Sequence, residues 1–141
     1  MNHIASPRTD DGGIEAEIQA KGKPAARITP ADIESNIASE HYFTARDGYI
    51  GVGMALAFSD APESEFKGEP PGALGLLTFC VLVLRNGFTV TGESACASPE
   101  NFDAEIGRKI ARGNAVQKIW PLMGYELRTQ LSAAGARSAD C

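Results

Sequence analysis

The sequence predicts an α+β fold in which a small antiparallel sheet packs against one N-terminal helix and two C-terminal helices. Three observations lead to this prediction. An apolar run over residues 76–84 is followed by Asn86-Gly87 and then by alternating apolar and polar residues, which is typical of a β-hairpin. Helix-start patterns stand at Thr29-Pro30 and at Ser98-Pro99, and the second precedes apolar residues at helical spacing.

The composition is that of a globular protein of one domain, since 141 residues with 43% hydrophobic and 22% charged residues are ordinary values for that class. The formal net charge is 13 − 18 = −5. Residues 1–75 carry 6 basic and 12 acidic side chains, whereas residues 76–141 carry 7 and 6. Because duplex-binding domains show a basic footprint, we expect no DNA or RNA polymer as a partner. The second half of the chain is where an anion is better tolerated.

The cysteines and the hydropathy exclude several other classes. Three cysteines allow neither a disulfide framework nor a four-cysteine zinc site. The N-terminus lacks the basic and apolar segments of a secretory signal. The longest nearly apolar run covers residues 72–84 and is too short to span a bilayer. We therefore expect a cytosolic protein with reduced thiols, no metal, no cofactor and no membrane partner.

The domain organisation follows from where periodic patterns begin and end. Residues 1–28 hold several Gly, Pro and charged residues without sustained periodicity, so we expect a flexible N-terminal arm. A single domain is expected over residues 29–135, and the polar tail over residues 136–141 is expected to fray. The domain opens with a short helix over about residues 30–41, for which Thr29 is the predicted cap.

The middle of the chain contains one weak and one strong signal. Residues 42–58 hold three glycines among apolar residues and are consistent with a strand or an irregular loop, and residues 59–73 are predicted to be a loop. The hairpin over about residues 76–94 turns at Asn86-Gly87, which tolerates positive φ at both positions. Since its first strand is apolar at nearly every position, we expect a helix to cover one face and a partner subunit to cover the other.

Two helices are predicted after the hairpin, with Ser98 or Asn101 as the N-cap of the first. The ring of Pro121 is expected to end this helix, and a second one follows over about residues 121–133. The predicted buried stripe of the first helix consists of Phe102, Ile106 and Ile110.

Arg108 and Arg112 are the main candidates for a binding site. Four residues apart on a helix, they project their guanidinium groups side by side from one face. Adjacent like charges repel unless an anion or a carboxylate lies between them, and arginine matches phosphate oxygens in bidentate fashion. A diphosphate is therefore a natural ligand. The alternative is an ordinary solvated helix face, with Glu105 and Lys109 interleaved.

No residue is expected to be catalytic. Cys96 lacks a neighbouring base in the sequence, and Glu100, Asp103 and Glu105 are explained by the helix start that they occupy. The sequence contains no phosphate-binding loop, no glycine-rich nucleotide motif and no metal-ligand spacing. We therefore expect a binding protein rather than an enzyme.

Residues 78–127 resemble a family of phage proteins. The motifs that carry the resemblance are TFCVLVLRNGFTVTGESAC over residues 78–96, PENFD over 99–103, EIGRKIAR over 105–112 and KIWPL over 118–122. The family is that of phage gene product 49 and gene 66, and it includes the first described (type one) Thoeris anti-defence proteins.

The resemblance implies a protein that sequesters immune signals. Members capture cyclic ADP-ribose isomers, including glycocyclic ADP-ribose, made by TIR-domain immune enzymes, without cleaving them. Some also hold cyclic trinucleotides in separate pockets. It further implies a homo-oligomer, a dimer assembling to a hexamer, in the cytoplasm of the infected bacterial host.

Transferred residue by residue, the resemblance makes Arg108 and Arg112 the phosphate-binding residues. Asn101 and Phe88 are ligand-binding candidates by their place in the motif, and Arg85 is the candidate for a second pocket. Gly113 departs from the family pattern, which has Glu at this position beside the second arginine. The alternative function is a phage protein that binds and inhibits a host protein through its acidic N-terminal half.

Overall fold

The computed structural model describes residues 11–22, 25–58 and 68–139. The helices and strands, in chain order, are α1 (Asp11–Ala20), α2 (Pro30–Ser35), β1 (Ile37–Thr44), α3 (Ala45–Ala57), β2 (Leu77–Leu84), β3 (Thr89–Ala95) and α4 (Ala104–Ala139). Short 3-10 turns over Gly72–Leu76 and Pro99–Asn101 precede β2 and α4. The predicted α+β class is confirmed, with one long C-terminal helix in place of two.

The three strands form an antiparallel sheet in the order β1-β2-β3, and the predicted hairpin is its second half. The Gly87 N–H donates to the Leu84 carbonyl at 2.9 Å, and the Leu84 N–H donates to the Phe88 carbonyl at 2.8 Å. Gly87 has a φ of +89° and Asn86 does not have positive φ, so the turn uses the left-handed region at Gly87 only. The loop is a type I turn followed by a glycine in the left-handed region.

The core lies between one face of the sheet and α4. Its buried members are Ile33, Cys80, Leu82, Leu84, Val90, Ala111, Ala115, Val116 and Ile119. The helix backbone approaches β3 so closely that a Cβ atom on Gly92 would lie 2.1 Å from the Ala111 carbonyl oxygen. Small residues on α4 permit this approach, which fixes the helix, and the arginines upon it, relative to the sheet.

The buried stripe of α4 is displaced from the predicted one. The predicted residues Phe102, Ile106 and Ile110 are only half-buried. Full burial falls on Ala111, Ala115 and Ile119. The two alanines form the close contact with Gly92 on β3, where the backbones leave no room for longer side chains.

Both ends of the first predicted C-terminal helix also differ from the prediction. The Asp103 carboxylate accepts the Ile106 N–H at 3.1 Å, so Asp103 caps α4 in place of Ser98 or Asn101. Pro121 lies inside α4 and does not end it. A proline removes a single backbone donor, and Ile119 and Met123 pack against the core on either side of it, so tertiary packing maintains the helix.

The N-terminal region contains more regular structure than predicted. Helix α1 forms within the segment that was expected to be a flexible arm, and Glu15 on it pairs with Arg27 at 2.6 Å. The Trp120 indole N–H donates to Asp11 at 3.3 Å and connects α1 to α4. The division of the chain into arm, domain and tail stays a prediction, since residues 1–10, 23–24 and 140–141 lie outside the described part.

The segment between α2 and the hairpin shows why two predictions were wrong. Thr29 and Asp32 form the capping box that starts α2, but the helix ends at Ser35 and β1 follows, instead of a helix to residue 41. Thr44 and Asp47 form a second capping box that starts α3, where a strand or loop was predicted. Residues 59–67 of the predicted loop lie outside the described residues, and Gly72–Leu76 forms a 3-10 turn.

Candidate functional site

Arg108 and Arg112 lie one turn apart near the start of α4, as predicted, but their surroundings differ. The Arg108 side chain is exposed and reaches a small cavity of about 80 Å³. Within the described residues its guanidinium has neither an ion pair nor a hydrogen bond. Arg108 therefore presents an uncompensated cation at the protein surface.

The cavity beside Arg108 has aromatic walls. We call it the Arg108 cavity, and the residues that line it are Tyr42, Phe43, Thr44, Asp47, Thr78, Phe102, Ala104 and Arg108. The centroids of the Phe43 and Phe79 rings are 5.8 Å apart, and the angle between the ring planes is 36°. This contact packs the Phe43 ring against β2. The Asp47 carboxylate accepts the Thr44 N–H at 2.9 Å and serves the α3 cap. Aromatic surface beside a guanidinium suits a ligand that combines a ring with a phosphate.

Arg112 is enclosed by two carboxylates from other elements. Its Nη1 and Nη2 donate to Glu34 on α2 at 3.1 and 2.7 Å. Its Nε and Nη2 donate to Glu40 on β1 at 3.0 and 3.1 Å. These bonds use four of the roughly five N–H donors of a guanidinium, so Arg112 has little free capacity for a ligand.

Arg112, Glu34 and Glu40 form a cluster in which the arginine and the two carboxylates stabilise each other's charged forms. Glu34 and then Glu40 raise the pKa of Arg112 above its usual range. The Arg112 guanidinium, followed by the Tyr42 hydroxyl, lowers the pKa of Glu40. Burial, and then the hydrogen bond that Tyr42 donates to Glu40 at 2.6 Å, raises the pKa of Tyr42. The cluster of one arginine and two glutamates carries a formal net charge of −1.

The structure does not bring Phe88 to the arginines. Phe88 is exposed beside the hairpin turn, whereas Thr78, at the other end of β2, lines the Arg108 cavity. Residues 78 and 84 of this strand are about 20 Å apart at the usual rise. Asn101 is exposed in the 3-10 turn before α4 and does not line the cavity either. Within one chain, neither residue joins Arg108 and Arg112.

Arg85 lies in a separate groove. This groove has a volume of about 430 Å³ and is lined by Arg27, Ile28, Asp32, Ser35, Asn36, Arg85, Met123, Glu126, Leu127 and Gln130. The Arg85 Nε donates to the Ser35 carbonyl, and the Arg85 backbone N–H donates to that of Asn36 at 3.0 Å. Glu126, which lines this groove, lies about 27 Å farther along the axis of α4 than Arg108 does. The Arg85 groove and the Arg108 cavity are therefore distinct.

Four residues around the arginines were not predicted to belong to a site, namely Glu34, Glu40, Tyr42 and Phe43. Glu34 and Glu40 stand 78 and 72 residues before Arg112, so no spacing rule joins them to it. Tyr42 and Phe43 were placed in a segment with uncertain structure. The sequence of β1, IASEHYFT, does not alternate strictly between apolar and polar residues, so no period-2 pattern marked this strand.

A third cavity lies between α1 and α4, with a volume of about 260 Å³. Its lining is largely apolar and consists of Asp11, Ile14, Glu15, Ile18, Ile28, Pro30, Gln117 and Trp120. Over the described ranges, no cluster of three or more His, Cys, Asp or Glu side chains is placed to hold a metal ion. In the same part of the chain, every helix is too short or too polar to cross a membrane.

The comparisons with known proteins bear on the family alone. Neither the curated proteins nor the solved structures include a significant match. A family model, described as phage protein (N4 Gp49/phage Sf6 gene 66), matches residues 28–131. This range covers well over half of the chain and includes β1, the hairpin and the arginines of α4, so the protein belongs to that phage protein family.

Proposed function

We propose that this phage protein sequesters cyclic nucleotide immune signals, above all cyclic ADP-ribose isomers, without cleaving them. The observation that carries the proposal is Arg108, whose guanidinium has no partner among the described residues and lies beside an aromatic cavity, one turn from Arg112. A guanidinium supplies directional donors for a phosphate, and the neighbouring rings offer surface for a nucleobase. The family to which the chain belongs supports this ligand class through the resemblance described above.

Sequestration requires affinity and does not require stabilisation of a transition state. The groups around the Arg108 cavity are consistent with this role. Asp47 serves a helix cap, and the Thr44 hydroxyl accepts the Asp47 N–H at 3.1 Å. Tyr42 donates to Glu40, and burial together with that bond keeps it protonated. These groups therefore have structural partners, and we propose that the site binds the phosphates and leaves their bonds intact.

Self-association is part of the proposal, because the Arg108 cavity is too small for a whole dinucleotide. Ligand pockets usually enclose about 300–1,000 Å³, whereas this cavity has a volume of about 80 Å³. A second copy of the chain would complete the pocket. Apolar side chains are available for such contact, since Ile50, Val52 and Met54 on α3 are 40–60% exposed. We propose a dimer that assembles to a hexamer in the host cytoplasm.

The Arg85 groove is the proposed site for a cyclic trinucleotide. Its volume of about 430 Å³ lies within the range of ligand pockets. Arg85 lines this groove with an exposed side chain, and Asn36 and Gln130 supply amide groups to the same groove. Since this groove shares no lining residue with the Arg108 cavity, the two ligands should bind without competition.

The exposed apolar residues of α3 also favour an alternative function, which is the binding and inhibition of a host protein. Phe58, at the end of α3, is 89% exposed, and large exposed apolar surfaces mark interaction sites. In that account α3 contacts the host protein, and the arginines of α4 need no ligand.

Calorimetric titration of the purified protein with glycocyclic ADP-ribose, and separately with cyclic tri-adenylate, tests the proposal. Sequestration predicts nanomolar binding of the first ligand and its intact recovery after heat denaturation. Recovery of a cleaved product would indicate an enzyme. Absence of binding to both ligands would leave the host-protein function as the better account.

A further inference from the structure

We propose that Glu34 is a specificity-determining residue that occupies the phosphate-binding edge of Arg112 in the free protein and yields it to a diphosphate. Glu40 and Tyr42 act as positioning residues that keep the guanidinium in place during this exchange. The inference rests on the proposed function, because it concerns how the same arginines receive their ligand.

The two carboxylates contact different edges of the guanidinium. Glu34 accepts from Nη1 and Nη2, at 3.1 and 2.7 Å, and Glu40 accepts from Nε and Nη2, at 3.0 and 3.1 Å. Departure of Glu34 alone would expose the Nη1 and Nη2 edge, which can bind two phosphate oxygens side by side. The bonds to Glu40 would remain and would hold the plane of the guanidinium.

Glu34 is also the carboxylate that leaves more readily. Its side chain is 56% exposed, compared with 36% for Glu40 and 27% for Arg112. Glu40 accepts a further hydrogen bond from the Tyr42 hydroxyl at 2.6 Å. Over the described residues, Glu34 has no partner other than Arg112. Because Glu34 lies on the surface of α2, its side chain can rotate toward the solvent, where its carboxylate remains hydrated.

The arrangement predicts selection by the number of phosphates. Arg108 has no ion pair with any described residue, so a monophosphate can bind it and leave the Arg112 cluster undisturbed. A diphosphate can reach both arginines, but a second phosphate beside a cluster of net charge −1 is repelled until Glu34 turns away. Glu34 should therefore weaken diphosphate binding and leave monophosphate binding unchanged.

Calorimetric titration of Glu34→Gln and Glu40→Gln with cyclic ADP-ribose and with adenosine monophosphate tests this division. The matched control is Glu105→Gln, which removes one negative charge from an exposed i,i+4 ion pair on α4, the helix that carries both arginines. We expect Glu34→Gln to tighten cyclic ADP-ribose binding about two- to five-fold relative to Glu105→Gln, the scale of an exposed ion pair. Adenosine monophosphate affinity should not change, and Glu40→Gln should weaken cyclic ADP-ribose binding.

NMR spectroscopy of Arg112 distinguishes a positioning role of Glu40 from a general structural role. The Arg112 Nε–H resonance reports the bond to Glu40, so it should keep its chemical shift in Glu34→Gln and move in Glu40→Gln. Three results would overturn this inference and leave the proposed function intact. The first is equal tightening in Glu34→Gln and Glu40→Gln, and the second is an unchanged or weakened cyclic ADP-ribose affinity in Glu34→Gln. The third is a parallel gain in adenosine monophosphate affinity. If neither the wild type nor any variant binds cyclic ADP-ribose, the inference and the proposed function both fail.

Discussion

Gly92 on β3 lies directly against the Ala111 carbonyl of α4, and a Cβ atom placed there would be 2.1 Å from that oxygen and 2.3 Å from the Ala115 nitrogen. Both atoms belong to the helix backbone, so no rotamer change can relieve the overlap. This contact sets the distance between α4 and the sheet at the turns that carry Arg108 and Arg112.

Gly92→Ala is expected to destabilise the fold by more than about 3 kcal/mol, because α4 must move away from β3 and open the core. Chemical denaturation measures the change. The matched control is Gly48→Ala on α3, where a Cβ meets nothing within 4 Å. The control should be neutral or stabilise by up to about 1 kcal/mol from helix propensity. A Gly92→Ala protein with wild-type stability would show that α4 does not lie in this position.

The two arginines should contribute unequally to stability. Arg112→Met leaves the Glu34 and Glu40 carboxylates without their cation, and we expect a loss of about 1–2 kcal/mol. Arg108→Met removes no ion pair in the described part of the chain and should change stability by less than about 0.5 kcal/mol. Urea denaturation of both variants checks this order, and equal losses would contradict the assigned contacts.

Stability should depend on pH through Glu40. Arg112 lowers the pKa of this carboxyl below its ordinary value of 4.5, so the folded protein releases the Glu40 proton more readily than the unfolded chain does. The contribution is therefore complete above about pH 4.5 and is lost as the pH falls through the lowered pKa. Melting temperatures measured on acidification should fall more steeply for the wild type than for Glu40→Gln. Parallel curves would argue against this ion pair in solution.

Self-association should depend on α3. Met54 is 60% exposed, and a charge at this position, Met54→Glu, is expected to shift the protein toward the monomer mass of 14.9 kDa. Light scattering coupled to size-exclusion chromatography measures the mass. Lys21→Glu, at an exposed position after α1 and outside the lining of the Arg108 cavity, is the control and should keep the wild-type mass. A wild type that is monomeric at high concentration would contradict the proposed oligomer.

Local chemistry made part of this fold predictable. The hairpin follows from Asn86-Gly87 between apolar runs, and the α2 start follows from Thr29-Pro30, because turns and caps are decided by neighbouring residues. Helix α3 was missed although Thr44 and Asp47 form the same capping box as the one at α2. Its glycines lower helix propensity and concealed the signal.

The remainder depended on tertiary contacts. Packing on both sides of Pro121 keeps α4 continuous, and propensity alone would have ended the helix there. The spacing of Arg108 and Arg112 predicted their shared face, and it left open whether an anion or a carboxylate lies between them. Only the folded chain places Glu34 and Glu40 around Arg112, because α2 and β1 approach α4 from far away in sequence.

The central claim is that Arg108 binds the phosphates of a captured cyclic nucleotide. Calorimetric titration of wild type, Arg108→Ala and Lys109→Ala with glycocyclic ADP-ribose tests it most directly, since the two substitutions remove neighbouring cations from one helix. We predict that Lys109→Ala binds within about two-fold of the wild type and that Arg108→Ala loses about 10- to 100-fold, the scale of a charge-assisted bond. Equal affinity of Arg108→Ala and the wild type, or no binding by the wild type, would contradict the account.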